Sequence, residues 1–176
     1  MKKTLVMLLT LLSGIFSTGC SDAESSDKNG IKVGDKVPAF TLLDQNGNSF
    51  SSADYIGKKK MIVYFYPEDE SGICTKEACA FRDSFTAFED AGAVVVGINS
   101  GSVQSHKAFQ DHHHLPFTLL SDPGNKVLKA FGIKNVLFLT GRETFVIDLS
   151  GNVVFNFRGF LDGSEHAQQA LASLKQ

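Results

Sequence analysis

The chain has 176 residues, 43% hydrophobic and 20% charged, with a formal net charge of −2. That length gives one domain with a real core and is too short for two ordinary ones. With no Lys/Arg-rich run beyond the N-terminus, the composition excludes the basic face that nucleic acid requires.

In chain order, Met1-Lys-Lys makes a positive start, residues 4–16 are almost wholly apolar, and Ser17-Thr-Gly-Cys20 closes the segment. This is the layout of a secretory signal over residues 1–19, too short for an ordinary membrane span. The cysteine after Ser-Thr-Gly resembles a bacterial lipobox, whose cysteine is acylated, with Ser17 standing where Leu is commoner. The expectation is an exported protein, lipid-anchored to the membrane through Cys20 in a bacterial cell envelope. Residues 20–31 are polar and acidic without apolar periodicity, and read as a flexible tether.

Strand and helix patterns then alternate through a domain at 32–176. Residues 39–43 read as a short strand and Gln45-Asn-Gly-Asn as a turn. Residues 61–66 form a continuous apolar run, the mark of a strand buried on both faces. A helix is predicted to open at Cys74 and run to Asp90, with Ala78, Phe81, Phe85 and Phe88 at three- and four-residue spacing and Gly92 as its stop. The Phe stripe reads as core packing. A second buried strand follows at 93–98, a helix at 102–112, a short strand at 117–120 and a short helix at 126–131. Residues 143–148 and 153–157 make a hairpin around Ser150-Gly-Asn, and 162–174 a final helix. This order fits an α/β domain with a central mixed sheet flanked by helices. The thioredoxin-like fold with an N-terminal extension has the same order.

The chain holds three cysteines, and Cys74 and Cys79 are only five positions apart. Such a pair closes almost no loop, so it is a poor structural staple. Cys74 follows a strand ending at Pro67 and a short acidic loop, where a new helix leaves backbone N–H groups unpaired. A thiolate is best stabilised in such a place. On an intact helix, five positions separate Cα atoms by roughly 8–9 Å, beyond the ~7 Å at which a disulfide closes. Joining the two sulfurs requires the first helical turn to unwind. On spacing alone a second reading also stands, two independent helix cysteines with one buried and inert.

Neighbouring residues add a resemblance. Pro67-x-x-x-Ser71-x-x-Cys74 resembles the active-site signature of peroxiredoxins, with Ser in place of the usual Thr. The run from Phe65-Tyr-Pro to Cys-Thr-Lys-Glu-Ala-Cys-Ala-Phe-Arg-Asp83 is similar to the Q-type or bacterioferritin-comigratory subgroup. Val33-Gly-Asp-Lys-Val-Pro-Ala-Phe40, Leu115-Pro-Phe-Thr-Leu-Leu-Ser-Asp-Pro123, Val127-Leu-Lys-Ala-Phe-Gly132 and Gly141-Arg-Glu-Thr-Phe-Val-Ile-Asp148 match in register. Gly72-Ile73 departs from the usual Pro-Gly. The resemblance implies a thiol peroxidase in which Cys74 is the nucleophile and Cys79 the resolving cysteine. It further implies that Ser71 offers a hydroxyl to the peroxide, Arg142 supplies fixed positive charge, and Pro67 walls the pocket. Glu77 sits in the first turn of the helix and is a candidate to position Arg142. The implied substrates are hydrogen peroxide and organic hydroperoxides, the implied reductant a thioredoxin-like protein, and the implied state a monomer. No metal, haem, flavin or other cofactor is needed.

Other residues receive plainer readings. His112-His-His114 are expected to point in different directions as solvated helix-end groups, not as metal ligands. Asp69 and Glu70 are expected to be solvated. Two rival functions remain, a thioredoxin-fold copper or assembly chaperone and a disulfide oxidoreductase. The chaperone wants Cys-x3-Cys with a distant His, and the oxidoreductase Cys-x2-Cys; the spacing here is Cys-x4-Cys.

Overall fold

One strand, β3 (Lys60–Phe65), organises the molecule because every residue after Lys60 is apolar and buried. Side chains alternate across a strand, so Ile62 and Tyr64 face one side while Met61, Val63 and Phe65 face the other. Each set seeds its own core. The computed structural model describes residues 30–134 and 141–175. The leader at 1–19, Cys20 and nearly all of the 20–31 tether lie outside the described residues.

Around β3 lie β1 (Thr41–Asp44), β2 (Ser49–Ser51), α1 (Gly72–Asp83), α2 (Phe85–Asp90), β4 (Ala93–Asn99) and α3 (Val103–His113). They are followed by β5 (Thr118–Ser121), α4 (Lys126–Ala130), β6 (Glu143–Ile147), β7 (Val153–Arg158) and α5 (Gly163–Ser173). The seven strands form one sheet in the order β2-β1-β5-β4-β3-β6-β7. β3, β4 and β5 run parallel, whereas β6 pairs antiparallel with β3 and β1 antiparallel with β5. The expected mixed, thioredoxin-like sheet is therefore present.

The first core joins Ile62, Tyr64 and Tyr66 to Phe81, Phe88, Phe109, Ala167 and Ala170 on the helices. Tyr64 stacks on Phe81 with ring centroids 4.5 Å apart. Burial of each such side chain contributes about 1.5–3 kcal/mol, which fixes α1 against the sheet. The second core gathers Met61, Val63, Phe65, Phe145 and Ile147 under Phe40, Leu128 and Phe131.

One sequence expectation changes, and two short elements are added. The helix drawn from Cys74 to Asp90 starts at Gly72 and breaks at Ser84, which ends α1 and opens α2 with φ −101° and ψ 4°. Phe81 and Phe88 are both fully buried, so the apolar stripe continues across a break that periodicity does not register. Strand β2 and the 3-10 turn Ser52–Asp54 are three residues each, too short to display a period.

Gly163 sets the approach of α5 to α1. A Cβ there would meet the Ile73 carbonyl oxygen, Glu77 Cβ at 2.8 Å and Glu77 N at 2.9 Å. Backbone atoms of a packed helix cannot step aside, so overpacking of this kind costs about 1–3 kcal/mol. Gly163→Ala should therefore lower the stability measured by urea denaturation by that amount, and an unchanged midpoint would contradict the close approach.

Candidate active site

Register delivers the site. Phe65 pairs with Glu143 across β3 and β6, so the residue before Glu143 lies beside the end of β3, where the chain leaves for α1. That residue is Arg142, 3% exposed. Cys74, 1% exposed, is the third residue of α1. Arg142 Nη2 donates to Cys74 Sγ at 3.0 Å.

Glu77 stands three positions after Cys74, on the same face of α1, and is fully buried. Arg142 Nη1 donates to Glu77 Oε2. One guanidinium thus spans the thiol and the carboxyl. Alternation along β6 turns Glu143 to the opposite face from Arg142. There Glu143 binds Arg158 Nη2 at 2.6 Å and Asn156 Nδ2 at 2.9 Å, so it does not compete for Arg142.

Two more buried groups complete the cluster. His166 Nε2 lies 2.9 Å from the Gly159 carbonyl oxygen and must donate to it. In a neutral ring Nδ1 is then an acceptor, and Thr144 Oγ1 donates to it at 2.8 Å. Burial pushes the His166 imidazole down to about 4, which keeps the ring neutral. Glu77 Oε1 lies 3.4 Å from the same Nδ1 and has no hydrogen-bond partner among the described residues. The Nδ1 lone pair is already taken by the Thr144 hydroxyl, so this contact is not a hydrogen bond, and an ionised Oε1 would be buried without a donor. Burial pushes Glu77 up to about 8, against the opposing pull of Arg142. Although the Arg142 contact has the geometry of an ion pair, we take Glu77 as protonated at neutral pH. An ionised Glu77 would set a second anion beside Cys74 on a single buried cation, and would leave its Oε1 buried without a donor.

The remaining predicted residues are less tightly gathered. Pro67 is half-buried in the loop after β3. Ser71 holds the N-cap position of α1, but its hydroxyl donates to the Glu68 carbonyl at 3.3 Å and makes no capping bond. Cys79 is half-buried on the same unbroken helix as Cys74, and both thiols are free. The Asp83 hydrogen bond chiefly raises the Arg82 guanidinium, with the nearby Cys79 adding to it.

Asp69 is not solvated as expected. It accepts from Tyr66 Oη at 2.8 Å and Asn99 Nδ2 at 3.1 Å, and pairs with His106 Nδ1 at 2.8 Å. Burial pushes its carboxyl up, but hydrogen bonds from His106 and Ser105 outweigh this and hold it below its ordinary range. Glu70 is exposed, as expected, but it pairs with His112 and His113, so those two rings converge where divergence was expected. Sequence reasoning also missed His166 and Thr144. Thr144 lies inside a quoted motif, whereas His166 carries no local signal.

Comparisons with known proteins agree with this geometry. Residues 33–156 match the model of the AhpC/TSA family. A chloroplastic peroxiredoxin Q from Sedum lineare is 49% identical over 147 residues, 82% of this chain and 78% of that protein. The crystal structure of peroxidoxin BcpB from Mycobacterium tuberculosis superposes with a TM-score of 0.77 at 34% identity, covering 82% of this chain and 97% of that one. A Xanthomonas campestris bacterioferritin comigratory protein, studied for alkyl peroxide reduction, gives a TM-score of 0.73 at 28% identity, covering 80% and 98%.

The relatives correct the expected address. Those at 44–49% identity are named chloroplastic, an organelle destination, which overturns the reading of an exported protein lipid-anchored through Cys20 in a bacterial envelope. A basic start, an apolar run and small residues before a cysteine are cues of composition alone, and they do not determine a compartment. Among the described residues no helix is long and apolar enough to cross a membrane.

The protonated carboxyl has a thermodynamic signature. Glu77 moves from an ordinary value of 4.5 to about 8 on folding. Between those values the folded chain keeps a proton that the unfolded chain releases, so stability falls as pH rises through this window. Glutamine has no such linkage. The melting temperature of Glu77→Gln relative to the parent should therefore increase between about pH 5 and pH 8. A difference that does not vary with pH would contradict a protonated Glu77.

Proposed function

Because the chain belongs to the AhpC/TSA family, in its peroxiredoxin Q group, we propose a peroxidase cycle carried by Cys74 and Cys79. The protein is a thiol-dependent peroxidase, and proteins of this kind act on peroxide and are recycled by thioredoxin-like reductants. The observation that carries the residue assignment is the 3.0 Å contact between Arg142 Nη2 and Cys74 Sγ.

Only the thiolate attacks an O–O bond. Cys74 sulfur attacks the terminal oxygen of hydrogen peroxide or an organic hydroperoxide. The S–O bond forms as the O–O bond breaks, and the electron pair leaves on the second oxygen, which takes a proton to depart as water or alcohol. Cys74 is left as sulfenic acid. Arg142 is placed to hold the thiolate before attack and the charge that develops on oxygen during it. Ser71, at the mouth of the helix, offers a hydroxyl once it releases Glu68, and Pro67 helps to keep water out. Glu77 is a positioning residue that fixes the guanidinium plane.

Resolution follows. Cys79 sulfur attacks the Cys74 sulfenic sulfur, the S–O bond breaks, and the oxygen departs as water. The first turn of α1 must unwind for this, because an intact helix holds the two positions too far apart. Ser71 forgoes a side-chain cap, a contribution of about 1 kcal/mol, so that turn opens at lower cost. The break at Ser84 confines the opening to one short helix. A dithiol of the thioredoxin type then returns both cysteines to thiols. The unit is proposed to be residues 32–176 acting as a monomer, since both sulfurs belong to one helix. The copper-chaperone and disulfide-oxidoreductase readings are not favoured.

Cys74→Ser should abolish peroxide consumption in an assay with cumene hydroperoxide and a thioredoxin system; retained turnover would remove Cys74 as nucleophile. Cys79→Ser should leave a sulfenic acid that dimedone traps, and failure to trap it would remove Cys79 from resolution. Arg142→Ala should lower the peroxide rate constant by about 100- to 1,000-fold, and a loss below about tenfold would show that the contact is not used in catalysis.

A further inference from the structure

Outside the catalytic cluster, one group of side chains converges without a role in the cycle. Glu70 Oε1 lies 3.0 Å from His112 Nδ1, and Glu70 Oε2 lies 2.9 Å from His113 Nε2. The ligand atoms of all three lie within 4.8 Å of one another. We infer that Glu70, His112 and His113 form a binding site for a divalent transition-metal ion of the zinc type, fastening the loop ahead of Cys74 to the end of α3.

The donor set supports this. Two imidazoles and one carboxylate, with a further position open to water, make a common zinc set, and they also suit copper or nickel. Donors around a tetrahedral ion at ~2.0–2.1 Å stand about 3.4 Å apart. The two Glu70–histidine separations fall a little short of that distance, so small side-chain rotations would seat an ion. His112 presents Nδ1 and His113 presents Nε2, which is how sequence neighbours at a helix end reach one point. Their ring centroids are 4.3 Å apart. His114, at φ 51° in the C-cap, is not one of the converging groups.

Two of the three ligands are also held in place from behind. The Asp69 hydrogen bonds pin the residue before Glu70, and Glu70 itself is held at φ 60°. The His113 ring packs edge-on to Phe109 at 5.0 Å. Its backbone carbonyl accepts from Arg82 Nη1 at 2.9 Å, which ties the same residue to α1. Preorganisation of this kind is what separates a site from a chance meeting of surface groups.

The consequence rests on the peroxidase reading. Disulfide formation needs the first turn of α1 to leave its place, and Glu70 lies two residues ahead of that helix. An ion that binds the folded arrangement more tightly than the opened one favours the folded form. Metal would therefore slow the step in which Cys79 meets oxidised Cys74.

The test separates the site from the peroxidase reading. Tag-free Cys20→Ser/Cys74→Ser/Cys79→Ser protein, which lacks the three thiols that would compete for the ion, is titrated with zinc in a calorimeter. A single ion should bind, and Glu70→Gln or His112→Ala/His113→Ala should weaken it by about tenfold or more. Absent saturable binding, or equal affinity in those variants, would overturn the site. Zinc should also slow disulfide formation in the cysteine-containing protein after one equivalent of peroxide, with no such delay in His112→Ala/His113→Ala. An equal delay in that variant would overturn the clamp. Peroxide turnover without metal is measured separately, so its failure would bear on the peroxidase reading alone.

Discussion

A single buried guanidinium reaching two acidic groups is the constraint from which the site follows. Arg142 contacts Cys74 sulfur and the Glu77 carboxyl at once, and both are sealed from water. In a low-dielectric interior one cation cannot hold two anions without a large penalty. The proton on Glu77 resolves this, leaving the carboxyl as a neutral brace and the charge for sulfur. His166 supports the arrangement from the other side. Gly159 and Thr144 set its tautomer, so the ring offers no proton to the carboxyl oxygen beside it. Fixed electrostatics of this kind need no reorganisation during reaction, which is why they can be worth several kcal/mol to a developing anion.

The second constraint is mechanical. The helix that presents Cys74 to Arg142 is the same helix that keeps Cys79 out of reach. Its features divide accordingly. Phe81, stacked on Tyr64, holds the C-terminal half of α1 in the core, and Gly163 lets α5 press against the N-terminal half. The first turn, by contrast, lacks a side-chain cap. Just ahead of it, Asp69 anchors the loop to α3 through His106 and Ser105. Opening is thereby limited to a few residues between two fixed points, as a local transition requires.

Much of the fold was legible because apolar pattern reports burial directly. The run at 61–66 announced a central strand, and its two alternate faces account for both cores. Ser102 and Asp162 were legible as helix starts, and both accept backbone N–H groups as caps. The break at Ser84 was hidden because Phe81 and Phe88 keep the stripe continuous across it. Asp69 looked solvated because its partners Ser105 and His106 lie more than thirty positions away on α3. His166 was invisible for the same reason, with Thr144 twenty-two positions distant. Cys74 stood out by its place at a helix start, and Arg142 and Glu77 were named beside it from a resemblance in register, yet the protonation that lets them coexist follows only from burial and from a neighbour's tautomer.

The most direct measurement of this account is infrared difference spectroscopy of the reduced protein across neutral pH, with Glu77→Gln as reference. The account predicts a carbonyl stretch from a protonated, buried carboxylic acid at neutral pH, lost as the solution passes about pH 8 and absent from the glutamine variant. A carboxylate signature from Glu77 already present at neutral pH would contradict it.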